Sequence, residues 1–194
     1  MFGHPWVPTL RPLALTGALA LISSASATAQ IDRVAPADEA AIARALTAHD
    51  AAHGDRVAAL GAALAAAGEI RYPFFPQAGQ PGADLWLYNF TDLDPASDAV
   101  RSWDCGAFTY DGHQGHDSLI RSFREQDIGV PVFAALPAIV VDTHDGEFDR
   151  QVDGVPGTRA NYVVLDHGGG YITLYYHLRS GSVAVAAGQE VAAG

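Results

Sequence analysis

The sequence contains no lysine and only one cysteine. Its 11 basic residues are therefore all arginine, and 22 acidic residues give a formal net charge of −11. A charge of this sign and size repels nucleic acid and anionic membrane surfaces, so neither is expected as a partner. The absence of lysine also excludes a biotinyl or lipoyl carrier domain, because such domains need a lysine as the attachment point.

The first 29 residues have the three parts of a secretory signal peptide. Arg11 is their only charged residue, an apolar run from Pro12 to Ile22 follows it, and the segment closes with Ala27-Thr28-Ala29. This run is too short for a membrane span of about 20 residues, and no later stretch is long or apolar enough. We therefore predict cleavage after residues 1–29, a mature chain that begins near Gln30, and a periplasmic or extracellular location.

The remaining chain is divided into three parts by its composition. Residues 30–68 are rich in alanine, residues 69–104 form a lead-in rich in proline, glycine and aromatic residues, and residues 105–194 form the main domain. The alanine-rich part predicts one or two short helices, with Gly54 and Gly68 as stops.

His49 and His53 lie four residues apart and would share one face of such a helix. We interpret this face as solvated rather than as a metal site, because no third ligand accompanies the pair. The alanine-rich, lysine-free composition is typical of a GC-rich bacterial gene, in which the glycosylation sequon at Asn89-Phe90-Thr91 carries little meaning.

The main domain is predicted to be mainly β and antiparallel, because short β-prone runs alternate with Gly, Pro and Asp and no helical pattern intervenes. His144-Asp145-Gly146 is interpreted as a solvated turn, and His167 as a structural residue of the hairpin at Asp166–Gly170. The predicted strands are Val130–Ala135, Ala138–Thr143, Asn161–Asp166, Tyr171–Tyr176, Val183–Val185 and Glu190–Val191.

Two motifs contain histidines that are candidates for metal binding or catalysis. His113 and Asp117 are both zinc-ligand types, but four extended residues span about 13 Å, so they converge only if the backbone bends. Gly115, between them, permits that bend. His177 follows a β-prone run in Tyr175-Tyr176-His177-Leu178. On its own, a histidine after aromatic residues is usually a packed or hydrogen-bonded core residue.

Taken together, these motifs resemble the lysostaphin/LytM-type zinc endopeptidases. The family pattern combines H-x-G-x-D, an N-x-V-x-x-x-H-G turn, Y-x-H-L and a V-x-x-G-x-x-V-x-x-G tail, and all appear here in order between residues 105 and 194. The resemblance implies a barrel-sandwich fold of the duplicated hybrid motif type and a Zn²⁺ cofactor. It also implies zinc ligands at His113 and Asp117, a catalytic histidine at His177, and peptidoglycan peptide stems or crossbridges as substrate.

The sequence departs from this family in two ways. His116 replaces a small residue and is an alternative ligand. In addition, the family's terminal P-H-L-H-F-E-like motif, which supplies the third zinc ligand, would begin where the chain ends at Gly194. We therefore expect the domain to lack its C-terminal part, to bind zinc weakly, and to gain activity when a His-x-His segment is restored. The alternative is a non-catalytic member that binds peptidoglycan or activates an amidase.

Cys105 would lie in an oxidising compartment, where an unpaired cysteine is uncommon. We expect it to form a disulfide with a cysteine beyond Gly194, with a free or intermolecular thiol as the alternative.

Overall fold

The computed structural model describes residues 34–68, 76–151 and 158–194. The predicted signal peptide and residues 69–75 of the lead-in lie outside the described residues. Within the described ranges, no helix combines the length and apolar character needed to cross a bilayer. Cys105 is exposed, and its expected pairing stays a prediction.

Helix α1 (Pro36–Ala66) follows from the alanine-rich composition, since alanine has the highest helix propensity. A proline in its first turn costs no hydrogen bond, and Asp38 places negative charge at the helix N-terminus. The chain leaves the helix at Gly68, which has a left-handed φ of 79°. The predicted stop at Gly54 is wrong, because one glycine costs about 1 kcal/mol in a helix that alanine and packing otherwise support.

After α1, the described ranges contain six strands and one further helix. In chain order these are β1 (Trp86–Asn89), β2 (Asp117–Leu119), α2 (Phe123–Ile128), β3 (Ala138–His144), β4 (Tyr162–Asp166), β5 (Ile172–Tyr175) and β6 (Glu190–Val191). Strands β1 and β2 form a two-stranded antiparallel sheet. The other four form an antiparallel sheet in the order β5-β4-β3-β6. The expected mainly β fold, preceded by an alanine-rich helix, is confirmed.

The core lies on both faces of the four-stranded sheet. One face carries a cluster of buried residues that includes Val140 and Leu165, and partly buried side chains from the segment after β5 pack against it. The other face carries Val141, Tyr162 and Val164, which α1 covers. Burying one such apolar side chain stabilises the fold by about 1.5–3 kcal/mol.

Helix α1 crosses the β4–β5 hairpin at very close range. A Cβ atom on Gly168 would lie 2.2 Å from the backbone nitrogen of Gly61 and 2.3 Å from the carbonyl oxygen of Val57. Only glycine fits at this crossing, since any side chain would force the helix and the hairpin apart.

Two of the predicted strands are wrong. Val130–Ala135 makes only a single bridge, between Val132 and Gln77, and Val183–Val185 does not join a sheet. Val183 and Val185 instead pack against the core, so their alternation reflects burial without strand pairing.

Helix α2 contradicts the expected absence of helices in the main domain. Ser122 caps it by accepting a hydrogen bond from the backbone N–H of Glu125 at 3.3 Å. The Ser-x-x-Glu spacing is the capping-box signal for such a helix start.

His49 is not part of a solvated face. It is 4% exposed and its Nε2 lies 3.6 Å from Oδ2 of Asp166, a buried residue of β4. Burial, which disfavours the charged ring, lowers the pKa of His49 more than the neighbouring Asp166 raises it. His49 is therefore a core residue where α1 packs on the sheet.

The turn after β3 is ordered rather than simply solvated. Asp145 accepts hydrogen bonds from the backbone N–H groups of Gly181 at 2.7 Å and Val183 at 3.1 Å, and His144 lies 2.7 Å from Glu147. His167 is structural, as expected, because its buried ring donates from Nδ1 to the carbonyl of Pro137 at 2.9 Å.

Candidate metal-binding and catalytic site

Two segments build the candidate site: the ligand loop (Tyr110–Asp117) and the frame segment (Asn89–Asp92) that runs beside it. The backbone N–H of Asp92 donates to the carbonyl of His113 at 2.8 Å. Its carboxylate accepts from the N–H of Gly112 at 3.0 Å. Hydrogen bonds from the backbone of Arg101, and then from other N–H groups, lower the pKa of Asp92, so the carboxylate that fixes the loop stays ionised.

His113 and Asp117 lie side by side in the structure. The backbone bends at Gly115, whose carbonyl accepts a hydrogen bond from the Thr91 hydroxyl at 3.1 Å. This bend brings Nε2 of His113 to 3.5 Å from Oδ1 of Asp117. The four-residue spacing therefore places an imidazole nitrogen and a carboxylate oxygen together, while their role as metal ligands stays a prediction.

The Nε2 atom of His113 is buried and has no hydrogen-bond partner. A buried polar atom without a hydrogen-bond partner lowers the stability of the fold by about 1–3 kcal/mol. A histidine whose nitrogen is left in this state therefore calls for an explanation. The Tyr110 ring packs against the imidazole with centroids 4.3 Å apart, which restricts its rotation. Imidazole nitrogen and carboxylate oxygen are both zinc donors, so the orphaned nitrogen beside Asp117 fits one half of a zinc site.

Asn89 orients the other donor of this pair. Its Nδ2 donates to Oδ2 of Asp117 at 2.7 Å, while Oδ1 of the same carboxylate faces His113. Partners of this kind fix the orientation of a metal-binding carboxylate. Asn89 was missed at the level of sequence, where its only signal was the sequon. Its contact depends on the pairing of Asn89 with Asp117 across β1 and β2.

His116 does not complete a three-ligand site. Its exposed ring packs edge-on against Phe90, with centroids 5.6 Å apart. Across residues 34–68, 76–151 and 158–194, no three His, Cys, Asp or Glu side chains are arranged to hold one metal ion. Within these ranges, His113 and Asp117 are the two predicted metal ligands that the structure brings together.

His177 follows β5, a strand of the four-stranded sheet, whereas Asp117 lies in the two-stranded sheet. Its side chain is exposed and its backbone has a left-handed φ of 58°, which is uncommon for a residue with a Cβ atom. The ring packs edge-on against the Tyr176 ring, with centroids 4.5 Å apart. The motifs H-x-G-x-D and Y-x-H-L have a common purpose only if His177 converges with His113 and Asp117 in one cleft, and this convergence stays a prediction.

Residues 113–194, which include all three predicted site residues, match the model of peptidase family M23. This part of the chain is therefore similar to that family, whose members are generally metallopeptidases. No curated protein and no solved structure gives a significant match to the chain.

Proposed function

We propose that this chain is an exported zinc endopeptidase that hydrolyses the peptide crosslinks of bacterial peptidoglycan. The main support is the buried, unpartnered Nε2 of His113, 3.5 Å from Asp117, inside the region that matches a peptidase family. The buried Nε2 of the core residue His49 is unpartnered as well, so the position of His113 and Asp117 within residues 113–194 is what supports a role for this pair in a peptidase.

His113 and Asp117 would hold the zinc ion, and Asn89 would orient the Asp117 carboxylate through the 2.7 Å hydrogen bond. When bound, zinc supplies a Lewis acid that polarises the scissile carbonyl. His177 would transfer a proton during peptide-bond cleavage, because an imidazole exchanges protons near neutral pH.

The metal content of the purified chain and of three single variants tests these roles. In a chain extended by a terminal His-x-His segment, where we expect tight zinc binding and hydrolysis, His113→Ala and Asp117→Ala should lose zinc, whereas His177→Ala should keep zinc and lose hydrolysis. Zinc is measured by atomic absorption, and hydrolysis by the release of new amino groups from purified peptidoglycan. Zinc retention by both His113→Ala and Asp117→Ala would contradict the assignment, and His116→Ala would then be the next variant.

A second candidate function is a non-catalytic member that binds peptidoglycan or activates an amidase. One observation favours it: the described residues place two candidate ligands together, whereas a catalytic zinc has three protein ligands. We accordingly expect these residues alone to bind zinc weakly. Peptidoglycan binding or amidase stimulation that persists in His113→Ala and His177→Ala, without amino-group release by the wild type, would support this alternative.

Export is proposed from the sequence of residues 1–29. N-terminal sequencing of periplasmic or extracellular protein should give a start near Gln30, and an intact Met1 on that material would contradict it.

A further inference from the structure

Helix α1 carries a fully buried carboxylate, that of Asp38. This carboxylate accepts hydrogen bonds from Nε of Arg159 at 2.7 Å, from the backbone N–H of Ala160 at 3.0 Å and from the Tyr176 hydroxyl at 2.8 Å. Burial is the largest influence on its pKa and raises it, but these hydrogen bonds together outweigh burial and lower the pKa. Asp38 is therefore a charged anchor inside the fold.

Tyr176 connects this anchor to His177. Its hydroxyl donates to Asp38 and accepts from the backbone N–H of Ala35 at 3.0 Å. Burial, supported by Asp38, raises the pKa of Tyr176 to about 12, so the hydroxyl remains a proton donor at neutral pH. The other end of the Tyr176 ring meets the His177 ring edge-on, at 4.5 Å and an interplanar angle of 66°.

The residue after His177 is fixed as well. The buried Asn161 accepts from the backbone N–H of Leu178 at 3.0 Å through its carbonyl, and its side-chain amide donates to the Leu178 carbonyl at 2.9 Å. His177 thus has a left-handed φ between two anchored neighbours. A backbone conformation of this kind persists where surrounding contacts over-determine it, which is common at functional sites.

We propose that Asp38 is a positioning residue for His177, acting through the Tyr176 hydroxyl and ring. Helix α1, which lies outside the matched residues 113–194, then belongs to the same functional unit as the peptidase region. This inference rests on the proposed function for the role of His177, but the orientation of its ring is measurable without any activity.

The decisive variant is Tyr176→Phe in the full chain, because it removes one hydroxyl and keeps the ring and the Asp38–Arg159 pair. Tyr162→Phe is the matched control. The Tyr162 hydroxyl donates to Asp142 at 2.8 Å, and the substitution keeps the Tyr162 ring, which stacks on the Tyr176 ring with centroids 6.3 Å apart and also lies against His144. Asp38→Asn is the second test variant.

The first readout is the NMR signal of the His177 ring, assigned by its loss in His177→Ala. Tyr176→Phe and Asp38→Asn should shift or broaden this signal, whereas Tyr162→Phe should leave it in place. The second readout is hydrolysis, in which kcat should fall about 10- to 100-fold at nearly constant KM, since a misplaced catalytic group costs rate rather than substrate binding.

An unchanged His177 signal in folded Tyr176→Phe overturns the inference, as does an equal change in Tyr162→Phe. If Asp38→Asn does not fold, Tyr176→Phe alone decides. If the signal changes as expected while a chain extended by a terminal His-x-His segment hydrolyses nothing, the proposed peptidase function fails and the positioning of the ring stands. If the signal is unchanged while the wild type is active, the positioning inference fails and the proposed peptidase function stands.

Discussion

In the four-stranded sheet every residue of β4 is buried, whereas in the two-stranded sheet Asn89 alone is buried. The first sheet is covered by α1 on one face and by the segment after β5 on the other. The second is flanked by exposed aromatic residues, among them Trp86 and Tyr88. Its ligand loop is held by hydrogen bonds from the frame segment rather than by a covered apolar face.

The residues that stabilise the fold and the candidate metal-binding residues thus lie in different regions of the molecule. Apolar burial, which contributes most of the folding free energy, is concentrated in β3 and β4, and partly buried apolar residues of α1 pack against it. The candidate metal donors, the buried His113 and the half-buried Asp117, lie outside this apolar core, where polar contacts set the geometry. Binding residues often lie on such loops beside a rigid scaffold. Substitutions of the same kind should therefore have different effects in the two regions.

The largest difference is expected between Gly168→Ala and Gly112→Ala. Both glycines have a left-handed φ, 78° and 75°, so alanine costs about 1–2 kcal/mol at either. A Cβ on Gly112 meets no atom within 4 Å, but on Gly168 it would overlap α1 and add about 1–3 kcal/mol or more. Urea denaturation should rank Gly168→Ala clearly below Gly112→Ala, and equal losses would refute the close crossing.

A smaller difference is expected for apolar truncation. Val164 in β4 is fully buried, and Val164→Ala should lower the free energy of unfolding by about 2 kcal/mol or more. Leu119 in β2 is 45% exposed, and Leu119→Ala should change it by about 0.5 kcal/mol or less. Both values come from urea denaturation monitored by circular dichroism. A comparable loss at Leu119 would place part of the core in the two-stranded sheet.

The same contrast explains which features could be predicted from the sequence. Strands β3 and β4 and the hairpin at Asp166–Gly170 were predictable because burial on both faces gives continuous β-branched runs bounded by glycine. Val183–Val185 has a similar pattern but pairs with no strand. Sequence periodicity indicates burial but not backbone hydrogen bonding. A paired strand and an unpaired buried segment therefore cannot be distinguished from the sequence.

For the candidate site, the sequence predicted local proximity and missed the supporting residues. His113 and Asp117 are four residues apart, so one bend suffices to bring them together. The contacts of Asn89 and Asp38 join distant parts of the chain. Such contacts depend on the register of β1 with β2 and on how α1 docks, and neither leaves a pattern in a single sequence.

An intermediate effect is expected for zinc binding when the frame segment is altered. Asn89→Ala removes the hydrogen bond to Oδ2 of Asp117 and should weaken zinc affinity about 10- to 100-fold, with little loss of stability. Thr91→Val is the matched control. It removes a hydrogen bond from the same segment to the Gly115 carbonyl, but this bond involves neither His113 nor Asp117. Zinc titration against a competing chelator measures both. Equal weakening would indicate general loosening of the ligand loop.

The smallest expected effect is a difference in how acid acts on the two regions. Burial lowers the pKa of His49 and of His167, both in the α1 and four-stranded-sheet region. Because the unfolded chain then binds protons first, stability should fall as the pH drops below about 6.5 and level off below the lowered pKa values. In the other region, hydrogen bonds lower the pKa of Asp92. Its contribution is present above a pH of about 4 and is lost only as the pH falls through its lowered pKa.

Melting temperatures between pH 7.5 and 5 test this difference. The wild type should melt at lower temperature as the pH falls, and the double variant His49→Leu/His167→Asn should show a flatter dependence. Asp92→Asn is the control from the frame segment, and it should lower the melting temperature by a similar amount at every pH in this window. If the double variant keeps the wild-type dependence of melting temperature on pH, the acid-sensitive groups are not His49 and His167 of the core. If Asp92→Asn abolishes the pH dependence of the melting temperature, the acid-sensitive groups lie beside the ligand loop. The two regions would then differ in packing but not in their response to acid.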